Sequence, residues 1–383
     1  MSHSNFSTYY ALLTALLTLS RKEKQRPNRT NTTTSSLFGS ELTFDLNDQF
    51  PLFEGRFVSL SNVAFELAWF LEGSINADRL KEFGCNIWNE WALQDDHQTT
   101  VPLSPHDRVQ CLAAMSDKSV PEIVRYLQSL KSEEDGHVYL DSLNVPRSMD
   151  VKLVDKGSIG PLYGQQWRSW QSFTTDRHGN TKRIDVDQIA KLIEDLRKNP
   201  YSRRHVISAW NPAYLPNESI SPEENVKLGK MSIAPCHQMS QFYVWDGNDD
   251  VKYLDLKVTM RSSDVILGLP YNIASYALLV HLLANEVDMK PGRLIMSLGD
   301  VHLYKNHAAT ASELIKRYHT AENTPSVKFT TDMKISDFMG GVDDSQQRKL
   351  DDVEAVKSKV AKLITGLTDY NPLPAIKSIP IAV

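Results

Sequence analysis

The stretch YLDLKVTMRSSDVILGLPYNIASYALLVHLLAN, residues 253–285, changes its hydrophobic period once, and the rest of the chain is best read outward from it. Leu254, Leu256, Val258 and Met260 alternate with polar neighbours, which predicts a strand over Tyr253 to Met260. From Ile273 to Asn285 the residues are apolar on every side, which predicts a long buried helix. Upstream, Gln241 to Trp245 reads as a second strand, joined to the first through the turn-prone Asp246-Gly247-Asn248-Asp249.

Further towards the N-terminus, NVAFELAWFL (62–71) is apolar on nearly every face except at Glu66, and Gly73 is a natural helix stop. A carboxylate is thereby driven into a core, where burial raises its pKa and fits it to pass protons near neutrality. The opposing reading is an acid satisfied by a buried partner. Tyr10, Leu13, Leu16 and Leu17 recur at helical spacing within Tyr9 to Leu19, ending at the basic Arg21, Lys22 and Lys24. The Asn/Thr/Ser-rich residues Asn28 to Ser36 read as a loop carrying Arg29, and Leu42, Phe44 and Leu46 then alternate like a half-buried strand.

Two stretches differ in character. Residues 95–157 are polar around one amphipathic segment, Val120, Ile123, Val124, Leu127 and Leu130, with Ser119 as its cap, and read as an inserted subdomain. Residues 340–366 form a smaller polar insertion with helical spacing at Val353, Val356, Val360 and Leu363, followed by the Pro-rich tail Asn371 to Val383.

Composition excludes several classes of function. With 383 residues, 41% hydrophobic and 23% charged, the chain is globular rather than disordered. A net charge of -5 argues against broad nucleic-acid binding, although a local basic pocket for one phosphate is compatible with it. Cys85, Cys111 and Cys236 lie far apart, with no zinc-like spacing, which suits reduced thiols. The apolar run at Tyr9 to Leu19 is too short to span a bilayer, so the expectation is a soluble cytoplasmic protein, in the host cytoplasm if viral.

Cys236 stands in Ala234-Pro235-Cys236-His237, directly before a strand, which places its thiol at the mouth of a sheet. Taken alone it reads as a buried, inert cysteine. Arg203-Arg204 and Arg261-Ser262 supply cations able to neutralise a phosphate and lower a neighbouring thiol's pKa; singly, each is a solvated or structural arginine.

Read together, GPLYGQQWR (160–168), SRRHVISAWNP (202–212), APCHQMSQFYV (234–244), RSSDVILGLPYNIASYALLVH (261–281) and GDVHLYKNH (299–307) resemble the successive motifs of the thymidylate synthase family, in the family's order. ELAWFLEG (66–73), IWNEW (87–91) and YNPLPAIKSIPIAV (370–383) extend the resemblance to the C-terminus. The resemblance implies an α/β (α+β) single domain on a large mixed sheet, dimerising through its sheet face, with 5,10-methylenetetrahydrofolate as co-substrate.

Carried over by position, Cys236 is the nucleophile that adds to C6 of a deoxypyrimidine monophosphate, with His237 and Tyr163 lining the same pocket. Arg29, Arg203, Arg204, Arg261 and Ser262 match the phosphate site, the Arg203-Arg204 pair being lent by the other subunit. Asn272 matches the reader of N3 and O4 and, as an amide rather than an acid, favours dUMP over dCMP. His302 and Tyr304 match the pair on the ribose 3'-hydroxyl, and Glu66 matches the acid that moves protons. Asp264, Trp88, Trp91, Arg56 and Val383 match positions around the folate. The aromatics read equally well as plain core on residue type alone.

The chain also departs from the family's synthases. Met260 stands where they usually carry Gln, and Met260-Arg261-Ser262-Ser263-Asp264-Val265 resembles the phage deoxycytidylate hydroxymethylase, a relative in the same superfamily. Leu373 interrupts the usual Pro-His-Pro of the tail, and the loop after Arg29 is Asn-Thr-Thr-Thr. These differences point to a deoxyuridylate hydroxymethylase, in which water captures the methylene that a synthase would reduce. Two other readings stay open: a thymidylate synthase in which Met260 is simple packing, and a relative that binds nucleotide or RNA without catalysis.

Overall fold

The computed structural model describes residues 6–21, 25–27, 30, 32–130, 132–248, 250–320, 326–342, 348–376 and 379. Its centre is a five-stranded mixed sheet of β1 (Thr34–Asp45), β2 (Val206–Ser208), β3 (His237–Asp246), β4 (Lys252–Asp264) and β5 (Lys290–Tyr304), in the order β1-β5-β4-β3-β2. Three of its four strand pairings are antiparallel; β4 and β5 are parallel. Parallel neighbours need a crossover, and the helix between them supplies it.

Six helices matter to the site: α1 (Ser7–Arg21), α2 (Leu60–Glu72), α3 (Tyr163–Arg168), α4 (Gly268–Glu286), α5 (Ala308–Thr320) and α6 (Val353–Ile364). The crossover is α4, longer at its N-terminal end than the Ile273 to Asn285 of the apolar run because Pro270 tolerates a first turn. It packs on β4, β5 and α2, so it is buried on nearly every side. Leu254, Leu256, Val258 and Met260 point into this core as their alternation requires. On the opposite face Val206, Met239, Gln241, Tyr243 and Lys257 are exposed.

The expected helix at 62–71 is α2. Ser59 caps its start, accepting from Asn62 N, and Gly73 ends it at φ 75°, a left-handed conformation that favours glycine. The expected loop at Asn28 to Ser36 is corrected at its end, because Thr34, Ser35 and Ser36 already pair with Tyr304, Leu303 and His302 of β5. Leu46 is buried but lies just past β1.

Residues 97–154 carry more structure than one amphipathic segment. A ladder of His97–Pro102 with Ser148–Val154 closes over helices Pro105–Met115, Val120–Gln128 and Glu133–Ser142. Val109, Leu112, Ile123, Leu140 and Val145 form a small core there, separate from the main one. Ser119 caps the second of these helices as its sequence suggested, its backbone N–H donating to Glu122. In α6, Val356, Val360 and Leu363 are buried at the spacing expected. No helix of the described residues is long and apolar enough to cross a membrane.

Candidate active site

Cys236 is a half-buried cysteine on the loop that enters β3. Arg261, on the neighbouring β4, holds that loop from three atoms. Its backbone N–H donates to Cys236 O at 2.8 Å, Nε to Pro235 O at 2.9 Å and Nη2 to Ala234 O at 2.6 Å. The Cys236 N–H donates to Tyr163 Oη at 2.7 Å. Tyr163 is the first residue of α3, and burial holds its phenol well above its ordinary pKa, so it remains neutral. Next to it, Gly164 lets α3 approach α2: a Cβ there would lie 2.7 Å from Phe70 O.

His237 stacks on Tyr163, with ring centroids 4.3 Å apart and planes inclined by 18°. Its Nδ1 lies 2.8 Å from Tyr276 Oη and its Nε2 3.4 Å from Asn272 Nδ2. Burial pushes the imidazole down to about 3, so the ring is neutral. Asn272 and Tyr276 are one turn apart on α4 and therefore face the same way. Sequence reasoning passed over Tyr276; its spacing from Asn272 was the available signal. Trp210, under the Arg261 guanidinium at 5.9 Å, was also passed over although it lies within a quoted motif.

Glu66 is buried as expected, and its partner is Trp88, whose Nε1 donates to Oε1 at 2.8 Å. Burial raises the carboxyl from 4.5 to about 7, against the lowering effect of the Trp88 hydrogen bond. Trp88 also packs on Tyr163 at 5.9 Å and on the half-buried Trp91 at 5.7 Å. Glu66 is thus linked through Trp88 and Tyr163 to the cysteine loop.

Ser262 and Asp264 of β4 are half-buried and in register with Asp300 and His302 of β5. Tyr304 packs edge-on against His302 at 5.0 Å. Asp264 Oδ1 accepts from Ile266 N and Leu267 N, shaping the turn into α4. Arg56 is buried and gives Nη1 to Phe57 O and Nη2 to Ile266 O, so it faces the core beneath that turn. Arg203 and Arg204 are exposed and lie apart from the cysteine. Val206 is in register with Gln241, five residues along β3 from Cys236, and both arginines lie further still. Arg29 and Val383 lie outside the described residues.

Met260 is 1% exposed, on the core face and paired across the strands with His237. Among the described residues no group of three or more His, Cys, Asp or Glu could hold a metal ion. A concavity of about 610 Å3 lined by Asp45, Trp245, Tyr253 and Arg293 lies at the other end of β3 and β4 from Cys236 and contains no nucleophile.

Known proteins are similar to this chain along most of its length. The sequence pattern of Thymidylate synthase matches residues 7–378. A Thymidylate synthase of Staphylococcus haemolyticus (strain JCSC1435) is 33% identical over 388 residues, covering 100% of both chains. Another Thymidylate synthase, of Francisella philomiragia subsp. philomiragia, is 35% identical over 293 residues, 76% of this chain and 79% of that relative. With the family's pattern matched over residues 7–378 and a relative of one-third identity along the whole chain, the chain belongs to the thymidylate synthase family, folate-dependent enzymes that use methylenetetrahydrofolate as co-substrate.

Proposed function

We propose that the protein transfers a one-carbon unit to C5 of dUMP through a covalent adduct on Cys236, and that water completes the reaction to give 5-hydroxymethyl-dUMP. The observation that carries the transfer is the convergence of Cys236, Tyr163, His237 and Asn272 on one patch, with Glu66 linked to it through Trp88.

The Cys236 thiolate adds to C6, and the electron pair of the C5–C6 double bond moves towards C5 and O4. Asn272 reads the base. With the His237 proton on Nδ1, the neutral ring accepts from Asn272 Nδ2 at Nε2. The same amide then keeps its second N–H for O4 and its Oδ1 for N3–H, a pattern that matches uracil. Glu66, near pKa 7, both donates to and accepts from the base through water at neutral pH.

The co-substrate supplies the methylene that C5 captures. The Trp88–Trp91 edge-to-face pair and Asp264 offer an aromatic wall and a polar edge suited to a pterin ring. Arg56, turned inward onto Ile266 O, acts there by fixing the 264–267 turn rather than by meeting the folate directly. Loss of the C5 proton to water and departure of tetrahydrofolate leave an electrophilic methylene on C5 of the bound base. Its fate sets the product: hydride from the folate gives thymidylate and dihydrofolate, water adds to give the hydroxymethyl group, and in either case Cys236 leaves C6 as the C5–C6 double bond re-forms.

The water branch rests on Met260, within its Met-Arg-Ser-x-Asp-Val setting, and on the altered tail at Leu373. The synthase reading has two observations of its own. Both relatives named above are thymidylate synthases, and the burial of Met260 removes its side chain from any open path for water. Incubation with dUMP and 5,10-methylenetetrahydrofolate, followed by mass analysis, separates them. Hydroxymethyl-dUMP with tetrahydrofolate is expected; thymidylate with dihydrofolate would establish the synthase reading.

Residues 95–157 act in this account as an insertion that folds on its own small core, with 340–366 as a lesser one. The working unit is a cytoplasmic homodimer joined through the exposed sheet face, with Arg203 and Arg204 completing the partner's phosphate site.

A further inference from the structure

We propose that Asp300 is a positioning residue for nucleotide selection. Its carboxylate and backbone carbonyl fix the His302 proton on Nδ1, so that Nε2 is free to accept from the sugar 3'-hydroxyl. The inference rests on the deoxynucleotide reading above and assigns a role to a residue outside the set matched by resemblance.

Asp300, His302 and Tyr304 alternate along β5 and share one face. His302 Nδ1 lies 3.4 Å from Asp300 Oδ1 and 3.4 Å from Asp300 O. A carboxylate and a carbonyl only accept, so a neutral His302 facing both carries its proton on Nδ1. Asp300 Oδ1 is buried and has no hydrogen-bond partner in formed geometry, although the ring stands in front of it. Contacts of this kind commonly tighten when ligand binds. His302 is also the leading reason that the Asp300 carboxyl lies below its ordinary pKa.

Arg26 holds the other oxygen. Its Nη1 is 2.8 Å from Asp300 Oδ2, and its backbone pairs with Thr34 in both directions, at 2.7 and 3.0 Å. Thr34 is in turn in register with Tyr304. One carboxylate therefore ties Arg26 to the His302 ring, while the Arg26 backbone joins the strand that runs beside Tyr304. The consequence is a matched acceptor and donor, His302 Nε2 and Tyr304 Oη, for a hydroxyl that donates and accepts at once. A nucleotide without the 3'-hydroxyl would deprive His302 Nε2 of the donor this tautomer is set to meet, and a site built to hydrogen-bond a hydroxyl rejects the analogue that lacks it.

Histidine 15N NMR of the free protein reads the tautomer without reference to turnover, and a proton on His302 Nδ1 is expected. Asp300→Asn presents an amide N–H to the ring and should mix the tautomers. Its KM for dUMP should rise about tenfold, the loss falling on KM more than kcat, and its preference for dUMP over 2',3'-dideoxy-UMP should shrink by a similar factor. Arg26→Ala, at an exposed position, should move the same quantities less. A proton on Nε2 in the wild type, or an undiminished preference in a folded Asp300→Asn protein, would overturn the assignment. If the wild type turned over no dUMP at all, the functional reading would fail while the NMR result still stood.

Discussion

At the scale of single residues, Glu66 is where function opposes stability. Its carboxyl titrates near 7 in the folded chain against 4.5 when free, so the folded state binds the extra proton between those values. Stability from this group therefore falls as pH rises through that window, and above it the buried charge costs on the order of 3 kcal/mol. Glu66→Gln should abolish most turnover yet gain stability relative to wild type between pH 5 and pH 8, read from urea unfolding at both. An equal difference at the two pH values would contradict the burial argument. Trp88→Phe removes the one hydrogen bond that lowers this pKa, so the limb of the pH–rate profile assigned to Glu66 should move upward. For the base, Asn272→Asp should shift preference from dUMP towards dCMP, because an acid can hold a proton against N3 and accept from the cytosine amino group. Competition between the two nucleotides measures it, and an unchanged ratio would remove Asn272 from base reading.

At the scale of elements, the site depends on how closely α3 lies on α2. Gly164→Ala puts a methyl group 2.7 Å from Phe70 O, a contact that helix backbone cannot relieve. Overpacking of this kind costs about 1–3 kcal/mol. It should also displace Tyr163 from the Cys236 N–H, so activity at low temperature should fall even where the variant remains folded. Full activity in a folded variant would show that the Tyr163 contact does not matter. The long apolar or alternating elements, α2, α4, β3 and β4, were legible in sequence because burial on one or all faces leaves a period. Other stretches left no such mark: α3 has only six residues, and the first half of β1 lies in a Thr/Ser run held by pairing with β5. Of the three helices of 97–154 only Val120–Gln128 showed an apolar period; the other two were hidden by their polarity, since the shared core is only a few side chains. Within the site, residue types suggested Cys236 and Glu66, the family motifs supplied most of the rest, and the Trp88 bond to Glu66 required coordinates.

At the scale of the whole molecule, the register of β2 on β3 bears on subunit cooperation. Val206 faces Gln241, which places Arg204 roughly 20 Å along the sheet from Cys236 at about 3.3 Å per residue. Such a pair is out of reach of a phosphate bound beside its own subunit's Cys236, which is what the proposed lending of the pair across a two-fold interface requires. A Cys236→Ser chain and an Arg203→Ala/Arg204→Ala chain should each be nearly inactive, yet together recover about a quarter of wild-type activity by random pairing. No recovery after subunit exchange would return the arginines to a role within one chain. The claim beneath all of these is that Cys236 bonds to C6 of the nucleotide. Incubation with 5-fluoro-dUMP and 5,10-methylenetetrahydrofolate tests it most directly, since fluorine at C5 cannot leave as a proton does and the adduct is trapped. Intact mass should rise by the nucleotide plus the folate in the wild type and not in Cys236→Ser. An unmodified wild-type mass, or an adduct that survives Cys236→Ser, would contradict the account.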